Sequence, residues 1–251
     1  MLKNKKLVIG NWKMAPLSLV EAKKLVSLTT KAATKLKHTT AVIAPSFVHI
    51  SPFSQKKSKV LWGAQNVCVK SEGAITGEVS VKMLKDIGVQ FVIIGHSNRR
   101  AMGETNELIA KKVATTLAEG LRPVLCIGET VRDNDGAYLE ELKKQLLECI
   151  AEVKRGDMLD LVIAYEPVSA IDATKPLDSH DIHTSVLYIR KIFAEHFSKD
   201  LAHAAMVLYG GTVNADNALE IIKNGGVDGL LVGRASLTGE FADLLKEVDK
   251  A

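Results

Sequence analysis

Eight times along this chain a short apolar run rich in β-branched residues gives way to a longer stretch of helical period, and that alternation limits the fold more than any other feature. The runs are Leu7–Ile9, Thr40–Ala44, Val60–Ala64, Phe91–Ile94, Pro123–Ile127, Leu161–Tyr165, Met206–Tyr209 and Gly229–Val232. Helices are clearest at Ser18–Leu36, Glu104–Glu119, Ala137–Val153, Asp178–His196 and Ala215–Asn224. Ala118-Glu119-Gly120 and Asn224-Gly225-Gly226 read as helix ends, because glycine takes the left-handed C-terminal conformation without steric cost. An open doubly wound sheet alternates in the same way, but its nucleotide-binding versions carry GxGxxG or GxxxxGKS/T after an early strand, and this chain has neither. Eight repeats in 251 residues point instead to an α/β fold of one domain, a closed (β/α)8 barrel spanning 1–251. With 47% hydrophobic residues the chain can fill such a core.

The net charge of +4 comes from scattered lysines, densest at Lys3 to Lys6 and Lys56 to Lys59. No aromatic stripe or nucleic-acid motif accompanies them, so a solvated surface is expected rather than a nucleic-acid site. A mildly positive protein still favours the approach of an anionic substrate. Cys68, Cys126 and Cys149 are too few and too far apart for a disulfide framework, and no CxxC pair suggests zinc. Reduced thiols in a cytosol fit them. After Lys6 only Leu7-Val8-Ile9 precede polar Asn11 and Lys13, too short for a signal-peptide core or a membrane span. The expectation is a cytoplasmic protein with no membrane partner.

The polar residues that follow the strands carry the chemistry. In an eight-stranded α/β barrel the active site lies at the carboxyl ends of the strands, so residues distant in sequence converge there. Asn11 and Lys13 follow the first strand, His96 the fourth and Glu166 the sixth, and glycine-rich loops follow the seventh and eighth. A base, a polariser, a cation and a phosphate cradle would then share one mouth. Taken singly, His96 could simply cap the helix behind it, and Gly210, Gly211 and Gly233 could be turns. His180 and His183 stand at helical spacing, but Asp178 reads as an N-cap and nothing completes a coordination sphere, so no metal is expected.

Taken together, the motifs resemble the triosephosphate isomerase family over the whole chain. They are Gly10-Asn11-Trp12-Lys13, Gly63-Ala64-Gln65-Asn66, Gly73-Ala74-Ile75-Thr76-Gly77-Glu78, Gly95-His96-Ser97 with Arg99-Arg100, Cys126-Ile127-Gly128-Glu129, Ala164-Tyr165-Glu166-Pro167-Val168 and Tyr209-Gly210-Gly211. The resemblance implies a cofactor-free isomerase of small phosphorylated trioses, working in glycolysis and gluconeogenesis. It makes Glu166 the base, His96 the neutral imidazole that polarises the carbonyl, Lys13 the cation and Asn11 a positioning group. The phosphate would rest on backbone N–H groups of the loops that hold Asp172, Thr212, Gly233 and Arg234, with Tyr209, Gly210 and Gly211 forming the seventh loop. The segment 67–79 resembles the loop that reaches into a partner subunit, with Thr76 near the other subunit's Asn11, so a homodimer is implied.

The chain also departs from that pattern. Asn98 stands where the family has glutamate, and a neutral hydrogen bond to Lys13 is expected in its place. The sixth loop reads Ser169-Ala170-Ile171-Asp172-Ala173-Thr174 where Trp-Ala-Ile-Gly-Thr-Gly is usual, so the lid lacks its aromatic residue and both glycines. Pro167 and Pro176 would stiffen its ends. Arg234 replaces a glycine of the eighth loop, and either Asp172 and Arg234 are expected to pair across the site or Arg234 itself to contact the phosphate. Two alternatives remain open at this level: another phosphosugar enzyme on the same scaffold, or an isomerase-derived phosphate-binding homodimer whose lid has decayed.

Overall fold

A computed structural model describes residues 5–55, 58–133, 135–171 and 176–251. Its strands are β1 (Lys6–Asn11), β2 (Thr39–Ala44), β3 (Leu61–Ala64), β4 (Phe91–Ile94), β5 (Arg122–Ile127), β6 (Val162–Tyr165), β7 (Met206–Tyr209) and β8 (Gly229–Val232). Each pairs in parallel with the next, and β8 returns to β1 with Gly10 opposite Val232, closing the barrel. The helices are α1 (Leu19–Ala33), α2 (Ser51–Ser54), α3 (Val81–Asp86), α4 (Ser97–Ala101), α5 (Asn106–Ala118), α6 (Ala137–Cys149), α7 (Ser179–His196), α8 (Lys199–Ala204), α9 (Ala218–Asn224) and α10 (Glu240–Val248).

Side chains of a strand alternate between its two faces, and the barrel sorts its core accordingly. Leu7, Ile9, Val42, Ala44, Phe91, Ile93, Val124, Cys126, Val162, Ala164, Leu208 and Leu231 pack together inside the barrel. Their neighbours in sequence, among them Val8, Ile43, Val92, Leu125, Ile163, Tyr165 and Tyr209, turn outward against the helices. A closed single-domain (β/α)8 barrel is therefore present as expected.

Caps set several helix bounds. The Ser18, Ser80, Thr105 and Ser198 hydroxyls accept the N–H of Glu21, Met83, Leu108 and Leu201, and Asp178 accepts that of His180. Gly120 (φ 78°) and Gly226 (φ 66°) take the left-handed conformation expected past α5 and α9. The periodicity reading does not include α2, α3, α4 and α8, which are too short to show a period, nor α10. That last helix was legible, since Phe241, Leu244, Leu245 and Val248 bury one stripe. No described helix is long and apolar enough to cross a membrane.

Candidate active site

Strand parity brings the polar residues to the mouth. In β1 the period that turns Leu7 and Ile9 into the barrel turns Asn11 the same way, and after β6 it does so for Glu166, two residues beyond Ala164. Asn11, Lys13, His96, Glu166, Gly210, Gly211, Thr212, Gly233 and Arg234 line one cavity of about 310 Å³, together with Ile171, Val213 and Asn214. Tyr209 stands apart from it. As the last residue of β7 it faces the helix layer, fully buried, its ring 6.2 Å from that of Tyr165. Asp172, Ala173 and Thr174 lie outside the described residues.

His96 is 6% exposed and does two things. It caps α4, where its Nδ1 accepts the Asn98 backbone N–H at 3.1 Å. A backbone N–H can only donate, so Nδ1 keeps its lone pair and the ring proton sits on Nε2. That nitrogen lies 3.3 Å from Glu166 Oε1. Glu166 is 3% exposed, and among the described residues its second carboxylate oxygen has no hydrogen-bond partner at ordinary distance. Beneath it, burial pushes the Cys126 thiol well up, and the adjacent Glu166 carboxylate adds to the effect.

The carboxylate is held from two sides. Its backbone N–H donates to Ile127 O at 2.8 Å, and Gly210 packs on its side chain so closely that a Cβ there would fall 2.6 Å from Glu166 Cγ. Lys13 has φ 53°, a left-handed conformation uncommon outside glycine. Its N–H donates to Asn11 Oδ1 at 3.1 Å, and its carbonyl accepts from Gln65 Nε2 at 2.8 Å and Ser46 Oγ at 3.0 Å. Gln65 and Ser46 thus fix the lysine without lining the cavity, roles that their positions in sequence do not announce. The ammonium ends beside Gly233, whose Cβ, were there one, would stand 3.9 Å from Lys13 Nζ.

Thr212 ties the seventh loop to the sixth, its N–H and its hydroxyl both donating to Ala170 O, at 3.0 and 2.9 Å. Gly233 opens a 3₁₀ turn, Arg234–Leu237, which Ser236 closes onto the Gly233 carbonyl. One expectation needs correction. Asn98 is exposed and its side chain makes no hydrogen bond to Lys13 among the described residues. Its backbone is engaged with His96, and at the second position of α4 its side chain points to solvent. Among the described residues no cluster of His, Cys, Asp and Glu is arranged to hold a metal.

Fold and site together define an α/β-barrel enzyme with a buried histidine and glutamate facing each other at the carboxyl end of its strands. The chain belongs to the triosephosphate isomerase family, whose sequence model matches residues 6–248. It is 39% identical to a triosephosphate isomerase of Coprinopsis cinerea over 239 residues, covering 94% of this chain and 95% of that one. Triosephosphate isomerases of Alkaliphilus oremlandii and Fusobacterium nucleatum are 39% and 40% identical, over 94% and 95% of this chain and 96% and 97% of theirs.

Proposed function

We propose that this chain interconverts dihydroxyacetone phosphate and D-glyceraldehyde 3-phosphate, the step that links the two trioses in glycolysis and gluconeogenesis. Glu166 takes the proton from the carbon beside the carbonyl and returns it to the neighbouring carbon. His96 donates its Nε2–H to the carbonyl oxygen as charge gathers there in the enediolate and takes the hydroxyl proton from the neighbouring oxygen, so that the carbonyl and hydroxyl exchange places, and Lys13 offsets the charge while Asn11 fixes its loop. A preorganised donor at such an oxygen contributes about 3–4 kcal/mol in comparable sites. The observation that carries the reading is the Asn98 N–H on His96 Nδ1, which leaves a neutral donor facing the carboxylate. In this reading Thr212, Gly233 and Arg234 hold the phosphate, while Gly210 and Gly211 leave room for Glu166 and Tyr209; Asp172, expected to share that role, lies outside the described residues.

The second reading, a decayed phosphate-binding barrel, is favoured by the lost lid glycines and opposed by the intact pairing of base and imidazole. Purified protein should isomerise glyceraldehyde 3-phosphate, and Glu166→Gln should lower kcat by about 10²–10⁴-fold. Tight binding of a phosphate analogue with no turnover would transfer support to the decayed barrel.

The protein works as a homodimer in this reading. Met14, Phe47, Val48, Ile75, Met83 and Met102, exposed apolar side chains in the loops and elements that follow β1, β2, β3 and β4, support it, since an interface there would bury them. Three buried free cysteines suit the reducing conditions of the cytoplasm.

A further inference from the structure

Behind the base lies a polar network that the reaction as described does not use. Glu129, just past β5, is fully buried. Its Oε1 accepts the Tyr165 hydroxyl at 2.8 Å, and its backbone carbonyl accepts the Val168 N–H at 2.9 Å. Arg132, three residues on, reaches back into the same space. Its Nη1 donates to Glu129 Oε1 at 3.3 Å, Tyr165 Oη at 3.2 Å and Ser185 Oγ at 3.1 Å, and its Nη2 donates to Asp181 Oδ1 at 3.2 Å. The guanidinium lies over the Tyr138 ring, 4.2 Å from its centroid. One side chain therefore joins the loop after β5, the end of β6, α6 and α7.

Tyr165 immediately precedes Glu166. Strand parity turns the tyrosine out of the barrel and the glutamate into it, so whatever fixes the Tyr165 ring also fixes the direction in which Glu166 leaves the backbone. We propose that Arg132 is a positioning residue for Glu166, acting through Glu129 and Tyr165 by holding the Glu129 carboxylate where it accepts the Tyr165 hydroxyl. This role rests on Glu166 being the base.

The ion-pair geometry supports the proposal. Arg132 is the cation that pairs with Glu129 among the described residues. The other titratable groups facing the pair are Tyr165, Tyr209, Tyr138 and Asp181, none of which is a cation. Burial pushes the Glu129 carboxyl above its ordinary range, and Tyr165 and Arg132 hold it down. Without Arg132 it is pushed further up, so Glu129 gains a proton more readily and the charge-assisted bond from Tyr165 weakens.

The test compares wild type, Arg132→Met, Arg132→Lys and the double variant Arg132→Met/Glu129→Gln in the isomerase assay across pH, with circular dichroism and Tm on each. The expected result for Arg132→Met is a kcat roughly tenfold lower near pH 7 with little change in KM, a scale set by small misplacements of a catalytic group. That kcat should recover as pH rises and Glu129 gives up its proton. Arg132→Lys should show a severalfold loss without the acid limb, and adding Glu129→Gln to Arg132→Met should abolish the limb. An Arg132→Met variant that loses Tm but keeps the wild-type kcat and pH profile overturns the role. If Arg132→Met does not fold, Arg132→Lys decides: a lowered kcat at unchanged KM supports the proposal, and a wild-type kcat overturns it. An inactive wild type would sink the isomerase reading itself, whereas an active wild type with an unaltered Arg132→Met sinks only this role.

Discussion

At the scale of single residues, the Asn98 amide decides what His96 can do, and Gly210 decides where Glu166 can be. Gly210→Ala would place a methyl 2.6 Å from Glu166 Cγ, and the Glu166 side chain must shift to admit it. Displacements of that size cost about 10²-fold in rate, so Gly210→Ala should lose kcat on that scale with the thermal transition little changed. An intact kcat would show that the base has slack. On the phosphate side, Asp172 and Arg234 replace two glycines of the family pattern. A double-mutant cycle on Asp172→Gly and Arg234→Gly should give a coupling of at least ~0.5 kcal/mol in kcat/KM if they pair or share the phosphate. Additive effects would separate them. Asn11, Lys13, His96 and Glu166 were legible because each follows a strand by a few residues, and the barrel gathers those positions. Arg132 and Gln65 were not. An arginine in a charged loop reads as solvated, and a glutamine beside a strand gives no hint that it holds a lysine carbonyl 52 residues away.

At the scale of elements, α5 is fastened to the loop before it by a buried ion pair. Lys112 Nζ lies 2.6 Å from Glu104 Oε1, which also accepts Arg99 Nε at 2.8 Å, and the lysine donates to Asn66 Oδ1. Removing the lysine leaves Glu104 to Arg99 alone, so Lys112→Met should cost about 1.5–3 kcal/mol in urea unfolding, the scale of a lost hydrogen bond between charged groups. Burial pushes the Glu104 carboxyl up, but its bonds to Lys112 and Arg99 outweigh this and leave it below its ordinary value of 4.5. A carboxylate lowered in the folded state contributes stability above its unfolded value and loses it as pH falls through the folded one. The gap between wild type and Lys112→Met should therefore narrow below about pH 4. A gap independent of pH would mean that packing, not charge, carries the effect. The strands were legible to within a residue or two of each end because apolar β-branched runs have one good use here, while α2, α3, α4 and α8 rest on caps and tertiary packing rather than on period.

At the scale of the whole molecule, the exposed apolar side chains after β1 to β4 are where the proposed dimer is tested. Ile75 and Met83 also line a shallow cavity beside Cys68 and Glu78, within and next to the segment expected to reach a partner. Sedimentation should find a dimer, and Ile75→Asp should shift it toward monomer with a fall in activity, since Asn11 would lose its neighbour across the interface. A monomeric wild type with full activity would remove the need for a partner.

The left-handed backbone at Lys13 bears on how such a chain can age. A side chain held at φ 53° costs roughly 1–2 kcal/mol relative to glycine, and three hydrogen bonds are committed to keeping it there. Under selection for thermal robustness alone, this is where drift gains most, because a glycine at position 13 relaxes the turn and leaves the barrel intact. Lys13→Gly should therefore raise Tm while lowering turnover, which is what a side chain kept in a strained turn for its charge requires.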